Sequence, residues 1–119
     1  MAKVLLAEDD ASMLYLLKTL LSMEGYEVAV LDLQGDLVAG VRAEDPDVML
    51  MDVHLGGKSG IAMLQELRSQ DDLKNMAIIM SSGMNLAPES RDAGATAFLL
   101  KPYMPDDLIR MIRQYSPEA

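Results

Sequence analysis

The stretch Val48-Met49-Leu50-Met51-Asp52 decides the fold. Four consecutive apolar side chains with no polar interruption suit a strand buried on both faces, because successive residues of a strand point to opposite sides. The run ends abruptly in a single acid. Outward from it the same phrase recurs. Val4-Leu5-Leu6-Ala7 runs into Glu8-Asp9-Asp10, and Ala77-Ile78-Ile79-Met80 into Ser81-Ser82-Gly83. Ala97-Phe98-Leu99-Leu100 runs into Lys101-Pro102, and Val28-Ala29-Val30-Leu31 completes a set of five. Longer segments of helical spacing lie between these runs. Met13, Leu16, Leu17, Leu20 and Leu21 form an apolar stripe on the first, with Ser12 as candidate N-cap. Leu37, Val38 and Val41 mark a second, and Ile61, Leu64 and Leu67 a third that begins near Ser59. Leu108, Met111, Ile112 and Tyr115 mark the last, with Pro105 in its first turn. Between Gly83 and Gly94 the pattern is diluted by Pro88 and polar residues. Strands alternating with helices predict an α/β fold with a parallel sheet and right-handed crossovers.

Composition narrows the function. At 119 residues, half of them hydrophobic, residues 1–119 are expected to form one domain around a real core. The absence of cysteine excludes a disulfide scaffold, a thiolate-bound metal and a thiol nucleophile. Acids outnumber bases 19 to 10, for a formal charge of −9, which disfavours direct binding of nucleic acid or an anionic membrane. No apolar run approaches a membrane span. Met1-Ala2-Lys3-Val4 leads straight into a strand-like segment with no room for a signal peptide, so a soluble cytoplasmic protein is expected.

In a parallel α/β sheet, ligands gather beyond the carboxyl ends of the strands. Those ends here carry Glu8, Asp9, Asp52, a serine hydroxyl and Lys101. Crowded carboxylates repel and raise one another's pKa. A hard divalent cation such as Mg²⁺ relieves this and uses a few carboxylates plus water. A lysine adds one compact positive charge suited to a phosphate oxygen. The inventory fits phosphoryl transfer to a carboxylate, in which positioning and charge stabilisation supply most of the catalysis. Any one of these features alone is common helix capping or loop chemistry; their fall on successive strand ends is what points to a site. Gly56-Gly57-Lys58-Ser59 looks like the end of a P-loop, but Asp52 stands where that motif needs a glycine and would repel a nucleotide phosphate. Asp52-Val53-His54 lacks the second acid of an Asp-x-Asp hydrolase. His54 is the only histidine, which excludes a multi-histidine metal site. Its side chain either stands in solvent or overhangs the reacting group.

With these residues in view, the chain resembles the receiver domain of two-component response regulators, of the chemotaxis-regulator kind, over nearly its whole length. The matching segments are Val4 to Asp10 with Glu8-Asp9, Pro46 to Asp52, Ser82-Gly83, and Ala93-Gly94-Ala95 leading to Phe98-Leu99-Leu100-Lys101-Pro102-Tyr103. The resemblance implies a flavodoxin-like, doubly wound five-stranded parallel sheet of order 2-1-3-4-5 with five helices. It implies Asp52 as phosphoacceptor, with Mg²⁺ held by Asp52, by Asp9 helped by Glu8, and by the backbone carbonyl of His54. Ser82 would follow the phosphoryl group, Phe98 would be the switch aromatic, and Lys101 would pair with phosphoryl oxygens, its bond to Pro102 being cis. The implied donor is a sensor histidine kinase or phosphotransfer protein, and the implied target an output protein. Such a protein is no enzyme toward outside substrates; it promotes only its own phosphotransfer and dephosphorylation. Two alternatives remain: a receiver-like interaction module that is never phosphorylated, and the N-terminal part of a longer regulator with its own output domain.

Departures from the family pattern carry expectations of their own. Gly56 replaces the usual proline after the phosphoacceptor, which predicts a more flexible loop. From Ser82 to Lys101 the chain is about three residues short, close to one helical turn. The fourth helix should therefore be about two turns starting near Pro88, or irregular. Thr96-Ala97 replaces the acidic pair of receivers that dimerise through the fourth helix, fifth strand and fifth helix, so a monomer or weak dimer is expected.

Overall fold

A computed structural model describes residues 2–117. The strands are β1 (Lys3–Ala7), β2 (Glu27–Val30), β3 (Val48–Asp52), β4 (Ala77–Ser82) and β5 (Ala97–Leu100). The helices are α1 (Ala11–Met23), α2 (Leu37–Glu44), α3 (Gly60–Arg68), α4 (Ala87–Asp92) and α5 (Pro105–Tyr115). All five strands pair in parallel, in the order β2-β1-β3-β4-β5, which is the expected flavodoxin-like arrangement. A miniature antiparallel ribbon, His54–Leu55 against Lys58–Ser59, stands apart from this sheet.

Alternation along the strands divides the core in two. Val4, Leu6, Val48, Leu50, Ile79 and Leu99 face Leu17 and Leu21 of α1 and Leu108 and Ile112 of α5. Leu5, Met49, Met51, Ile78 and Met80 face Val41 of α2 and Leu64 and Leu67 of α3. The central strands β1, β3 and β4 are almost wholly buried, as their unbroken apolar runs predict. The edge strands are not: Val30 and Leu100 reach solvent, because each edge has a neighbour on one side only.

Local chemistry sets the helix starts. Asp36 Oδ1 accepts the Ala39 N–H at 3.0 Å and Ser59 Oγ the Ala62 N–H at 3.2 Å. For α1 the cap is Asp10, not Ser12: Asp10 has the extended backbone a cap requires, and its Oδ1 accepts the Met13 N–H at 3.1 Å, while Ser12 already lies in the first turn. The fourth helix has six residues, with Pro88 in its first turn and no side-chain cap. It is short, as expected. Asp106 and Asp107 occupy the first turn of α5, where they oppose the helix dipole.

Arg68, at the end of α3, ties the opposite end of the sheet together. It donates to the carbonyls of Gly94 (2.8 Å), Leu73 (3.0 Å) and Met76 (2.6 Å) and to Thr96 Oγ1 (3.2 Å). Burial pushes its pKa down, and the carbonyl oxygens take the place of water around the guanidinium. Among the described residues no helix is long and apolar enough to cross a membrane.

Candidate functional site

The sheet order reverses between β1 and β3, since the chain first builds outward to β2 and later to β4 and β5. Crevices form at such a switch point, beyond the carboxyl ends of the two strands. Glu8 and Asp52 stand at those ends, and Lys101 arrives from the end of β5. The Lys101 ammonium pairs with Asp52 Oδ2 and, at 3.3 Å, with Glu8 Oε1. Asp52 Oδ1 accepts the backbone N–H of His54 at 2.9 Å. Glu8 Oε2 accepts the N–H of Asp9 at 3.2 Å.

The energetics follow from two negative charges facing one positive charge in a half-buried place. Burial raises the pKa of Glu8, and the nearby Asp52 charge adds to this, while Lys101 opposes it. Burial alone would lower the pKa of Lys101. The hydrogen bond and charge of Asp52, reinforced by Glu8, outweigh that and hold the ammonium protonated. Burial also raises the pKa of the Tyr103 phenol beside them.

Gly60 explains how closely α3 approaches the site. A Cβ there would fall 2.2 Å from the carbonyl oxygen of Asp52, and the Gly60 N–H donates to the Val53 carbonyl at 2.6 Å. Only glycine lets the helix begin against the backbone that carries Asp52. The loop between them, where Gly56 replaces the family's proline, folds into the short antiparallel ribbon. Gly56, at φ 62°, turns a tight ribbon in which Leu55 is buried. Lys58 Nζ fastens the ribbon to the carbonyl of Leu33.

The expected site residues are brought together unequally. Glu8, Asp52 and Lys101 converge. Asp9 is exposed and points toward the ribbon, its Oδ2 being 3.4 Å from where a Cβ of Gly56 would lie. His54 contributes its backbone N–H, and its side chain is exposed. The Lys101–Pro102 bond is cis, as the resemblance implies.

The two serines at the end of β4 take different places. Parallel pairing sets Asp52 opposite Ser81, so these two share a face of the sheet. Ser81 lines the small cavity with Glu8, Asp52, Lys101 and Tyr103. Ser82 is on the other face, where its Oγ accepts the Met84 N–H at 3.1 Å. That is also the face of Phe98, which pairs with Met80 two residues earlier. The two serines straddle the sheet, one toward Asp52 and one toward Phe98.

Among the described residues no three acids or histidines are disposed as a ready metal cage. The donor set nevertheless suits a hard cation in kind, because Glu8, Asp9, Asp52 and the His54 carbonyl offer only oxygen.

The chain matches the family model of the response regulator receiver domain over residues 4–113, and it belongs to that family. Over 111 residues it is 34% identical to the transcriptional regulatory protein PdtaR of Mycobacterium tuberculosis, covering 92% of this chain and 54% of that protein. With the transcriptional regulatory protein KdpE of Staphylococcus aureus it shares 29% identity, covering 94% of this chain and 48% of that one. The chain thus spans about half the length of the curated relatives it matches. Among solved structures, the chemotaxis protein CheY4 of Vibrio cholerae superposes with a TM-score of 0.83 at 27% identity, covering 97% of this chain and 98% of that one. The BeF3-activated N-terminal receiver domain of Klebsiella pneumoniae RstA gives a TM-score of 0.83 at 26% identity, covering 95% and 97%.

Proposed function

We propose that this receiver takes a phosphoryl group from a phosphohistidine of a sensor kinase or phosphotransfer protein onto Asp52. One observation carries the reading. At the switch point of the sheet, the Asp52 carboxylate is held between the Lys101 ammonium and the His54 N–H, beside a second buried carboxylate. In the transfer, a carboxylate oxygen of Asp52 bonds to phosphorus, the phosphorus–nitrogen bond breaks, and its electron pair leaves on the donor imidazole. Lys101 then passes from the carboxylate to a phosphoryl oxygen. Ser82, at the end of the neighbouring strand, turns to donate its hydroxyl to another. Glu8, Asp9, Asp52 and the His54 carbonyl are the groups that would hold Mg²⁺, which neutralises charge on the transferring group when bound.

A phosphoryl group adds strong acceptors and up to two negative charges. Ser82 and Lys101 respond to it directly. Phe98, which shares the face of Ser82, carries the change onward, shifting a two-state equilibrium read by an output partner. The chain turns over no outside substrate in this reading. It works in the cytoplasm, where ATP-derived phosphoryl groups are made, as a monomer or weak dimer that contacts neither nucleic acid nor membrane itself. The charge of −9 favours that last statement.

The test is incubation with acetyl phosphate and Mg²⁺, followed by intact-mass spectrometry. One added phosphoryl group is expected, lost in Asp52→Asn and after chelation of the metal. Equal labelling of Asp52→Asn would overturn the assignment.

A further inference from the structure

Two hollows meet at Lys101. One is the cavity of about 10 Å³ that holds Glu8, Asp52 and Ser81, room for roughly one water. The other is a groove of about 450 Å³ lined by Met13, Leu16, Leu20, Pro102 and Pro105. Leu17, Lys101 and Tyr103 line both, and so form the partition between them. Among the described residues Lys101 is the only charged side chain lining the groove. Tyr103 is half-buried and packs on the core cluster that contains Leu17 and Leu108.

A lysine stem is flexible, and its ammonium is strongly hydrated. Left to itself it trades a carboxylate for water wherever water can reach it. Inside this partition it faces Asp52 and Glu8 instead. We propose that Tyr103 is a positioning residue that acts through Lys101: its ring walls the Asp52 cavity off from the apolar groove, holds the ammonium inward, and keeps water from the phosphoryl group once it is attached. The proposal rests on the phosphoacceptor reading of Asp52. It assigns the work to the flat ring rather than to the hydroxyl.

The wall has a two-sided signature. With the ring gone, Lys101 spends less time on the reacting group, so phosphorylation slows. Water also enters from the groove, so the aspartyl phosphate hydrolyses faster. Mere destabilisation would lower the folded fraction without shortening the lifetime of the phosphoryl group on molecules that remain folded.

The experiment measures both rates with acetyl phosphate and Mg²⁺, well below the melting temperature, for the parent and for Tyr103→Phe, Tyr103→Leu and Tyr103→Ala. Tyr103→Leu and Tyr103→Ala are expected to label about tenfold more slowly, as for a misplaced charged group, and to lose the label faster. Tyr103→Phe is expected to restore both rates. Should Tyr103→Ala fail to fold, Tyr103→Leu decides. A folded Tyr103→Leu with parental rates would overturn the proposal, as would a Tyr103→Phe that behaves like Tyr103→Leu. A parent protein that takes no label would instead overturn the reading of Asp52 itself.

Discussion

At the residue scale, Lys101 is, among the described residues, the single cation facing Glu8 and Asp52. Lys101→Met leaves two carboxylates against each other with nothing between them. Breaking a buried pair costs 3–5 kcal/mol, and the partial exposure of this one reduces the expected loss to about 2 kcal/mol at neutral pH. The loss depends on pH. Burial and Asp52 already hold the Glu8 pKa above its ordinary 4.5, and Lys101 is what restrains it. Without Lys101 the folded form binds the Glu8 proton still more tightly than the unfolded chain does. The deficit is therefore largest at neutral pH and shrinks as pH falls through the raised folded-state value toward 4.5. Urea titrations of both proteins at several pH values measure it, and a deficit independent of pH would contradict the account. Most residues at this site were legible in the sequence because each acid or base ends an apolar run. At the end of β4 the sequence offers two adjacent hydroxyls, and the register alone shows that Ser81 shares the face of Asp52 and Ser82 that of Phe98.

At the element scale, the ribbon after β3 shows how a local residue choice resets a loop. Where the family's proline would fix φ near −65°, Gly56 instead allows a tight turn at positive φ. Restoring the proline should accordingly harm the protein. Gly56 sits at φ 62°, whereas proline is fixed near −65°. Gly56→Pro is expected to lower stability by more than about 1 kcal/mol and to lower the urea midpoint; a gain in stability would show that the turn is not formed. Strands and long helices were readable from their periods. The ribbon was not, because two-residue strands are too short to show one. The cap of α1 was misread because Asp10 and Ser12 are both good capping residues, and the backbone at Asp10 decides between them. Arg68 was missed for a different reason: its partners are backbone carbonyls distant in sequence, which no side-chain motif marks. Arg68→Met strips those carbonyls of their donor and is expected to cost about 2–3 kcal/mol. It should also speed amide exchange at Ile78, whose N–H donates to the Thr96 hydroxyl that Arg68 holds. An unchanged midpoint and unchanged exchange would contradict this.

At the scale of the whole molecule, the doubly wound sheet explains why residues from opposite ends of the chain meet. Glu8, Asp52 and Lys101 are far apart in sequence, and the order β2-β1-β3-β4-β5 brings them to one crevice. The same sheet separates the chemistry from its readout. Asp52 and Ser81 share one face, while Ser82 and Phe98 share the other, next to the short α4. The central claim is that Asp52 is the atom-level acceptor, and it is tested most directly by locating the acyl phosphate. Borohydride reduces an aspartyl phosphate to homoserine and leaves free carboxylates alone. After treatment with acetyl phosphate and Mg²⁺, then borohydride, peptide sequencing by mass spectrometry should find homoserine at position 52. Reduction at Glu8 or Asp9 with position 52 intact, or no reduction in a protein that carries the phosphoryl group, would contradict the account.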